Sequence, residues 1–326
     1  MLFDSFQRIH DYLRISLTDS CNFRCAYCMP NEEIEVMPHS HLMQTEEIEE
    51  LARIFVGLGV KKIRLTGGEP LVRKEFPDIL QRLSKLPVEL TMTTNGILAH
   101  RHIDLMKAVG MRTLNVSLDS LNRETFFKLT KRDQFQQVWD NILLLLDHGF
   151  RVKINAVALA GIVENEILDF IRITESLPLH VRFIEFMPFS GNHWKSEKVI
   201  TARQMLDLVE EHFPITKLQD EPHATARKYQ VPGHRGTFAF ITTMSEHFCG
   251  DCNRMRLTAD GKMKNCLFGK EEMDLLAALR KGTDIQSLIE ESIRRKHQML
   301  GGQFSPDYLK AKAEEIENRS MIKIGG

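Results

Sequence analysis

The stretch Tyr12 to Cys28, YLRISLTDSCNFRCAYC, joins an alternating run to three closely spaced cysteines. Successive side chains of a strand point to opposite faces, so Leu13, Ile15 and Leu17 share one side while Arg14 and Ser16 share the other. The same division separates Ile63 and Leu65 from Arg64 and Thr66, and Leu114, Val116 and Leu118 from Asn115, Ser117 and Asp119. It recurs where Val152 and Ile154 oppose Lys153 and Asn155; around His180 it is less clean, because Arg182 shares parity with Ile184 and Phe186. A closed eight-stranded barrel fills its interior with branched apolar residues. A polar, cationic inner face implies instead a lumen that takes a polar ligand.

Six β-patterned runs are expected: 12–17, 61–66, 89–94, 113–118, 152–159 and 180–186. Helical spacing follows most of them, as at 45–58 and 134–147, which predicts an incomplete, TIM-like (β/α)6 barrel of α/β class. Beyond about residue 215 this rhythm stops. A hairpin around Ala259-Asp260-Gly261 and charged helical stretches from Lys270 onward predict a smaller C-terminal domain, so the expected division is 1–215 and 216–326.

The formal charge of -1 over 326 residues gives no global attraction to nucleic acid or anionic membrane. An anion site must therefore come from local cations. No apolar run reaches the length of a membrane span and no signal-peptide pattern is present, which predicts a cytoplasmic protein without a membrane or nucleic-acid partner.

All six cysteines fall into two triplets. Cys21, Cys25 and Cys28 (C-x3-C-x2-C) follow the first strand directly, at the barrel end where (β/α) enzymes assemble active sites. Cys249, Cys252 and Cys266 (C-x2-C-x13-C) lie in the C-terminal part. Reducing compartments disfavour disulfides, and the spacing suits metal. An iron–sulfur cluster normally takes four protein ligands, so three leave one iron open. For the second triplet, spacing alone leaves zinc with His247 as a fourth ligand an equal alternative.

CNFRCAYC resembles the radical S-adenosylmethionine motif, with Tyr27 as its aromatic. TGGEP (Gly67, Gly68, Glu69, Pro70) after the second strand, Ser117 on the fourth and Met187 after the sixth match family positions that line the S-adenosylmethionine site. By this resemblance Tyr27, Gly68, Ser117 and Met187 contact that cofactor, the glycines letting the backbone approach its methionine moiety. Together with TTNG, NVSLD, RFIEFMP, the second triplet with Arg254 and Arg256, and the terminal Gly325-Gly326, the chain is similar nearly throughout to the GTP 3′,8-cyclases of molybdenum cofactor biosynthesis. Two positions depart from the family pattern: Gln7 stands where glycine is common and Ser20 where arginine is.

The resemblance implies a radical cyclisation of GTP to 3′,8-cyclo-7,8-dihydro-GTP using two 4Fe-4S clusters. It implies GTP contacts from Arg14, Arg64, Thr93, Lys153, Arg254, Met255 and Arg256, and catalytic parts for Arg14, Arg254, Arg256, Gly325 and Gly326, the tail entering the site. Arg182 is added from charge alone. A homodimer and a downstream pyranopterin-forming enzyme that receives the product are also implied; the electron donor is not. Other readings of the same residues are a peptide-modifying radical enzyme with an auxiliary cluster, an iron–sulfur electron carrier and a zinc-dependent nucleic-acid binder.

Overall fold

In the computed structural model, residues 1–29, 36–304, 307, 309 and 315–325 are described. Six strands stand where the alternation puts them: β1 (Tyr12–Ser16), β2 (Lys62–Thr66), β3 (Glu89–Thr94), β4 (Thr113–Ser117), β5 (Arg151–Ala158) and β6 (His180–Glu185). Each is parallel to the next. Between them run α1 (Thr45–Gly57), α2 (Phe76–Leu83), α3 (Ile103–Ala108), α4 (Arg123–Thr130), α5 (Phe135–Asp147) and α6 (Ile167–Ser176). Among the described residues no helix is long and apolar enough to cross a membrane.

Helix α1 shows why these segments fold as they do. At its start the Gln44 amide donates to Glu47 Oε2 at 2.7 Å, satisfying a backbone donor that the first turn leaves free. Ile48, Leu51, Ala52 and Phe55 then recur at spacings of three and four and are fully buried. They pack in one core with Leu13, Ile15, Leu17, Ile63 and Leu65, the apolar face of the alternating strands. Each such side chain contributes about 1.5–3 kcal/mol on burial.

The sheet does not stop at six strands. Strand β9 (Thr237–Ile241) lies parallel to β6, and β10 (Arg254–Leu257) lies parallel to β1, with Arg14 opposite Arg256. Antiparallel β8 (Ala226–Gln230) and β7 (Thr216–Lys217) extend one edge; β11 (Lys262–Lys264) and β12 (Met273–Asp274) extend the other. The C-terminal part thus supplies strands to both margins of the barrel. No βα rhythm announces these strands, because β8–β9 and β10–β11 are hairpins and β10 is only four residues long. The hairpin expected at 259–261 is the β10–β11 connection. Residues 242–253 run from the β9 margin to the β10 margin and carry Cys249 and Cys252 across the barrel's open side.

Three further helices matter: α7 (Ala202–Glu210), α8 (Leu275–Arg280) and α9 (Ile285–Arg294); the chain's last one, α10 (Met321–Ile324), buries Ile322 and Ile324. Near the N-terminus Gln7 adopts φ 64°, a left-handed conformation that favours glycine, and glycine is what the family pattern has at this position.

Candidate active site

The first triplet opens onto a cavity lined by Cys21, Cys25 and Cys28. Its loop is fixed by α4: the amides of Arg24 and Ala26 donate to the carbonyls of Thr130 (3.0 Å) and Leu129 (2.9 Å). Tyr27 lines the cavity and donates its hydroxyl to Asp119 Oδ2 at 2.6 Å, while the Val157 amide donates to the other carboxylate oxygen at 2.9 Å. Burial pushes Asp119 up to about 6, against the pull of these two donors.

The GGEP loop has a steric logic of its own. A Cβ on Gly68 would lie 2.4 Å from the Ser20 carbonyl oxygen. The Gly68 and Glu69 amides donate to the carbonyls of Thr18 (2.7 Å) and Ser20 (2.8 Å). Close approach is therefore demanded first by the β1 loop, and approach to a cofactor is not needed to explain the glycine. Glu69 is fully buried and accepts from the Asn95 amide (2.6 Å), the Thr94 hydroxyl (2.7 Å) and the Leu71 amide (3.1 Å); burial raises it to about 7. Gly68, Ser117, Asn95 and Met187 line the same cavity.

The donor set fits an iron–sulfur cluster with an organic ligand. Three free thiols stand at one end of a cavity whose other walls carry glycine backbone, Asn95 and Ser117. Without metal these thiols are hard to ionise: burial, then Glu69, pushes Cys21 up to about 11, and burial, then Cys21 and Asp119, pushes Cys28 up to about 12. The positive charge of coordinated metal is what such thiolates need.

A second cavity is lined by Cys249, Cys252 and Cys266 and by Arg14, Arg64, Arg182, Arg254 and Arg256. The β10–β11 hairpin brings Cys266 back to the other two thiols. Thr93, Asn155, Ile184, Met187 and Met321 line both cavities, so the two triplets face a common space. Arg182 and Ile184 point inward, while Phe183 and Glu185 are buried on the helix side; there Glu185 accepts from the amides of Met244 (2.7 Å) and Ser245 (2.8 Å) and helps hold the crossing segment. The irregular parity of β6 thus still delivers an inward arginine.

Electrostatically the lumen is unfinished. Arg14, Arg64, Arg182, Arg254 and Arg256, which line this cavity, form no ion pair with a carboxylate among the described residues; nor does Lys153, which lines neither cavity. Arg14 Nε, Arg182 Nε and Nη2, the Tyr12 hydroxyl and the Oδ1 atoms of Asn115 and Asn155 are buried without a hydrogen-bond partner. Buried polar atoms are normally paired: the arginine nitrogens and the Tyr12 hydroxyl fit a bound polar anion, while the two asparagine oxygens accept and call for hydroxyl or amino donors on the same ligand. Burial and mutual repulsion hold Arg64 down to about 10, Arg182 to about 9 and Lys153 to about 8. The Met255 side chain is fully buried in the core, between two arginines that face the lumen, which leaves its backbone as the part that could reach a ligand. Alternation puts it on the wrong side for a side-chain contact.

Arg256 donates to the Gly325 carbonyl, which brings the tail into the lumen. Gly325 has φ 83°, and a Cβ there would lie 2.6 Å from Thr66 Oγ1 and 2.9 Å from Ser16 Cβ. Gly326 lies outside the described residues. The tail's base is tied by Arg319, which donates to Asp260 Oδ1 (2.8 Å) and Oδ2 (3.0 Å) and also to Glu272. Arg254 donates to the His223 carbonyl at 2.8 Å and stacks over Phe248.

A brace on the second triplet was not legible beforehand. Arg8 donates to the carbonyls of Cys249 (2.6 Å), Gln298 (2.7 Å) and His297 (2.9 Å), and Asp4 holds both Arg8 (2.6 Å) and His10 (3.0 Å). Lys296 Nζ lies 3.8 Å from Cys252 Sγ. Burial acts to raise Cys252, but Lys296 and Arg254 outweigh it and bring the thiol down to about 7. His247 lines the cavity with its Nδ1 3.1 Å from the Thr243 carbonyl. Tyr12, Asn155, Asn95, Asp119, Arg8 and Lys296 thus join the site; Asn155 and Asp119 carried a signal through strand parity and Asn95 through TTNG, whereas Arg8 and Lys296 carried none.

Residues 15–173 match the Radical SAM superfamily and residues 179–301 match the Molybdenum Cofactor Synthesis C family. The chain is 44% identical to the mitochondrial GTP 3′,8-cyclase of Arabidopsis thaliana, over all of this chain and 84% of that protein. It is 41% identical to the GTP 3′,8-cyclase of Desulforamulus reducens, over 92% and 96%. Human molybdenum cofactor biosynthesis protein 1 is 45% identical over 99% of this chain, which spans about half (51%) of that longer protein. In fold, Streptococcus suis SuiB bound to S-adenosylmethionine superposes with a TM-score of 0.64 at 14% identity, over 97% of this chain and 77% of that one.

Proposed function

The chain belongs to the GTP 3′,8-cyclase family of molybdenum cofactor biosynthesis, and on that premise we propose that it cyclises GTP to 3′,8-cyclo-7,8-dihydro-GTP. One observation carries the reading: a lumen of unpaired buried cations lies between two cysteine triplets whose cavities share a wall. Cys21, Cys25 and Cys28 would hold a 4Fe-4S cluster that leaves one iron for S-adenosylmethionine, with Tyr27, Gly68, Ser117 and Met187 around it. Cys249, Cys252 and Cys266 would hold a second cluster. When bound, these groups would supply one electron and the carbon radical that takes hydrogen from C3′ so that C3′ can bond to C8, and a second electron and a proton, from the reductant and solvent, would complete the dihydro product.

The chain's own part is to place the nucleotide. Arg14, Arg64 and Arg182 line the lumen and Lys153 adds to their field, so a triphosphate's oxygens would satisfy the free donors of Arg14 and Arg182 through charge-assisted hydrogen bonds. Thr93 lies on the wall common to both cavities, between cofactor and nucleotide. Arg254 and Arg256, held on β10 beside the second triplet, steady the guanosine end, and Gly325 closes the lumen beside Arg256. Fixing both ends of the substrate converts ring closure into an oriented unimolecular step. In this reading residues 1–215 carry the radical chemistry and 216–326 complete the nucleotide site. A reducing compartment such as the cytosol, a homodimer and transfer of the product to a pyranopterin-forming enzyme belong to the same proposal.

The test is anaerobic incubation of the iron-reconstituted protein with GTP, S-adenosylmethionine and a reductant, following the cyclised nucleotide and 5′-deoxyadenosine. Both are expected, with about eight irons per chain for two 4Fe-4S clusters. Deoxyadenosine without a GTP-derived product overturns the substrate, and about four irons with one zinc overturns the second cluster.

A further inference from the structure

Tyr12 is the one inward residue at the start of β1 that neither the family motifs nor the lumen chemistry above has put to use. It shares the inner face of β1 with Arg14 and sits opposite Arg254 on β10 and Lys62 on β2. Four cations surround its ring: Arg64 at 5.5 Å from the centroid, Lys62 at 5.7 Å, Arg14 at 5.8 Å and Arg254 at 6.0 Å. One aromatic ring therefore gathers cationic side chains from three strands, drawn to the negative face of its π-system. The hydroxyl at the end of that ring is buried and has no hydrogen-bond partner.

A buried phenol surrounded by cations has two ways to be satisfied. It can ionise, or it can donate to an anion drawn in by the same cations. We propose that Tyr12 positions the polyphosphate-binding cations of this site and that its hydroxyl donates a hydrogen bond to a phosphate oxygen of the bound nucleotide. The inference rests on the reading of the lumen as a nucleoside triphosphate site and deepens it.

The electrostatics give the idea a signature. Burial acts to raise the Tyr12 phenol, but Arg64, Arg14, Arg254 and Lys62 outweigh it and bring the group down to about 8. Arg182 and Arg256, from β6 and β10, also feel the Tyr12 charge. Below about pH 8 the empty site holds a neutral donor facing the incoming phosphate. Above it, the phenolate has lost that proton and repels the anion, so binding requires proton uptake. A bound polyphosphate neutralises the surrounding cations and pushes the phenol back up. Lys153 titrates in the same range, at about 8, and faces Arg182, Arg64 and Lys62, so its effect must be separated. Comparison of wild type with Tyr12→Phe does so, because Lys153 is present in both.

The experiment measures equilibrium binding of GTP, inorganic tripolyphosphate and guanosine to the reconstituted protein without reductant, at about pH 7 and about pH 9. At the lower pH, Tyr12→Phe is expected to weaken GTP and tripolyphosphate about tenfold, one charge-assisted hydrogen bond, and to leave guanosine unchanged. At the higher pH the ratio of variant to wild-type dissociation constants is expected to fall toward one. Iron content and Tm of Tyr12→Phe verify that the fold is kept. A second measurement needs no variant: tripolyphosphate added to wild type above about pH 8 is expected to reduce tyrosinate absorbance. Equal tripolyphosphate affinity in both proteins at the lower pH, or tyrosinate absorbance indifferent to tripolyphosphate, overturns the role of Tyr12. Tyr12-dependent binding of tripolyphosphate that GTP cannot displace supports that role and overturns the GTP reading instead.

Discussion

Replacing Gly325 by alanine asks whether the tail must enter the lumen. Its φ of 83° costs a residue with a Cβ about 1–2 kcal/mol. The new methyl would also lie 2.6 Å from Thr66 Oγ1 and 2.9 Å from Ser16 Cβ, well inside contact distance. Overpacking of that kind costs about 1–3 kcal/mol when neighbours shift. The two together come to roughly 2–5 kcal/mol, which lowers the ratio of seated to unseated tail by about thirtyfold to a few thousandfold. Two assays read this. Cyclisation by the reconstituted Gly325→Ala protein should fall in proportion at unchanged iron content, and carboxypeptidase should trim its C-terminus faster than that of wild type. Gly282→Ala is the control, because Gly282 has φ 70° with nothing within 4 Å of a Cβ, so it carries backbone strain without a lumen contact. Wild-type turnover by Gly325→Ala with the C-terminus still protected would refute the steric reasoning.

Arg319→Ala removes the cation that joins the tail's base to Asp260 and Glu272, and turnover is expected to drop more than tenfold while iron content stays constant. Partial recovery in Arg319→Lys distinguishes loss of the anchor from collapse of the fold. Gln7→Gly relieves a left-handed backbone at φ 64° and is expected to stabilise the protein by about 0.5–1 kcal/mol, net of glycine's greater freedom in the unfolded chain; the urea midpoint reports it. For Lys153, burial and then Arg182 lower the ammonium to about 8, so its charge is complete below that pH and lost above it. Triphosphate affinity should therefore decline as pH rises through about 8, and the decline should be shallower in Lys153→Gln; equal slopes in a binding titration would exclude Lys153 from the site.

Much of the barrel was legible because parity is a local property. Arg14, Arg64, Asn115, Lys153 and Asn155 announced an inward polar face before any strand was paired, and the two triplets announced two thiol sites. Motif reasoning placed Met255 with its two arginine neighbours without saying which side of the strand each takes, and its side chain lies on the core side. The glycines of GGEP were legible as a close approach, though the partner turned out to be the Thr18–Ser20 backbone. Arg8, Lys296 and Arg319 gave no signal, because each acts across a separation of dozens to hundreds of residues that only tertiary structure closes. Strand β9, and the seat of β10 beside β1, were missed for a related reason: a short strand is stabilised by the neighbour it joins rather than by its own sequence pattern.

The pairing of β1 with β10 has a consequence for how the chain is made. Tyr12 is synthesised well before Arg254, the partner it pairs with. Until then the leading strand has one side bare, and the sheet's other margin waits as long for β9. A nascent or proteolytic fragment ending near residue 215 would expose both margins and tend to aggregate, so maturation is a single late event in which the trailing third locks the leading two.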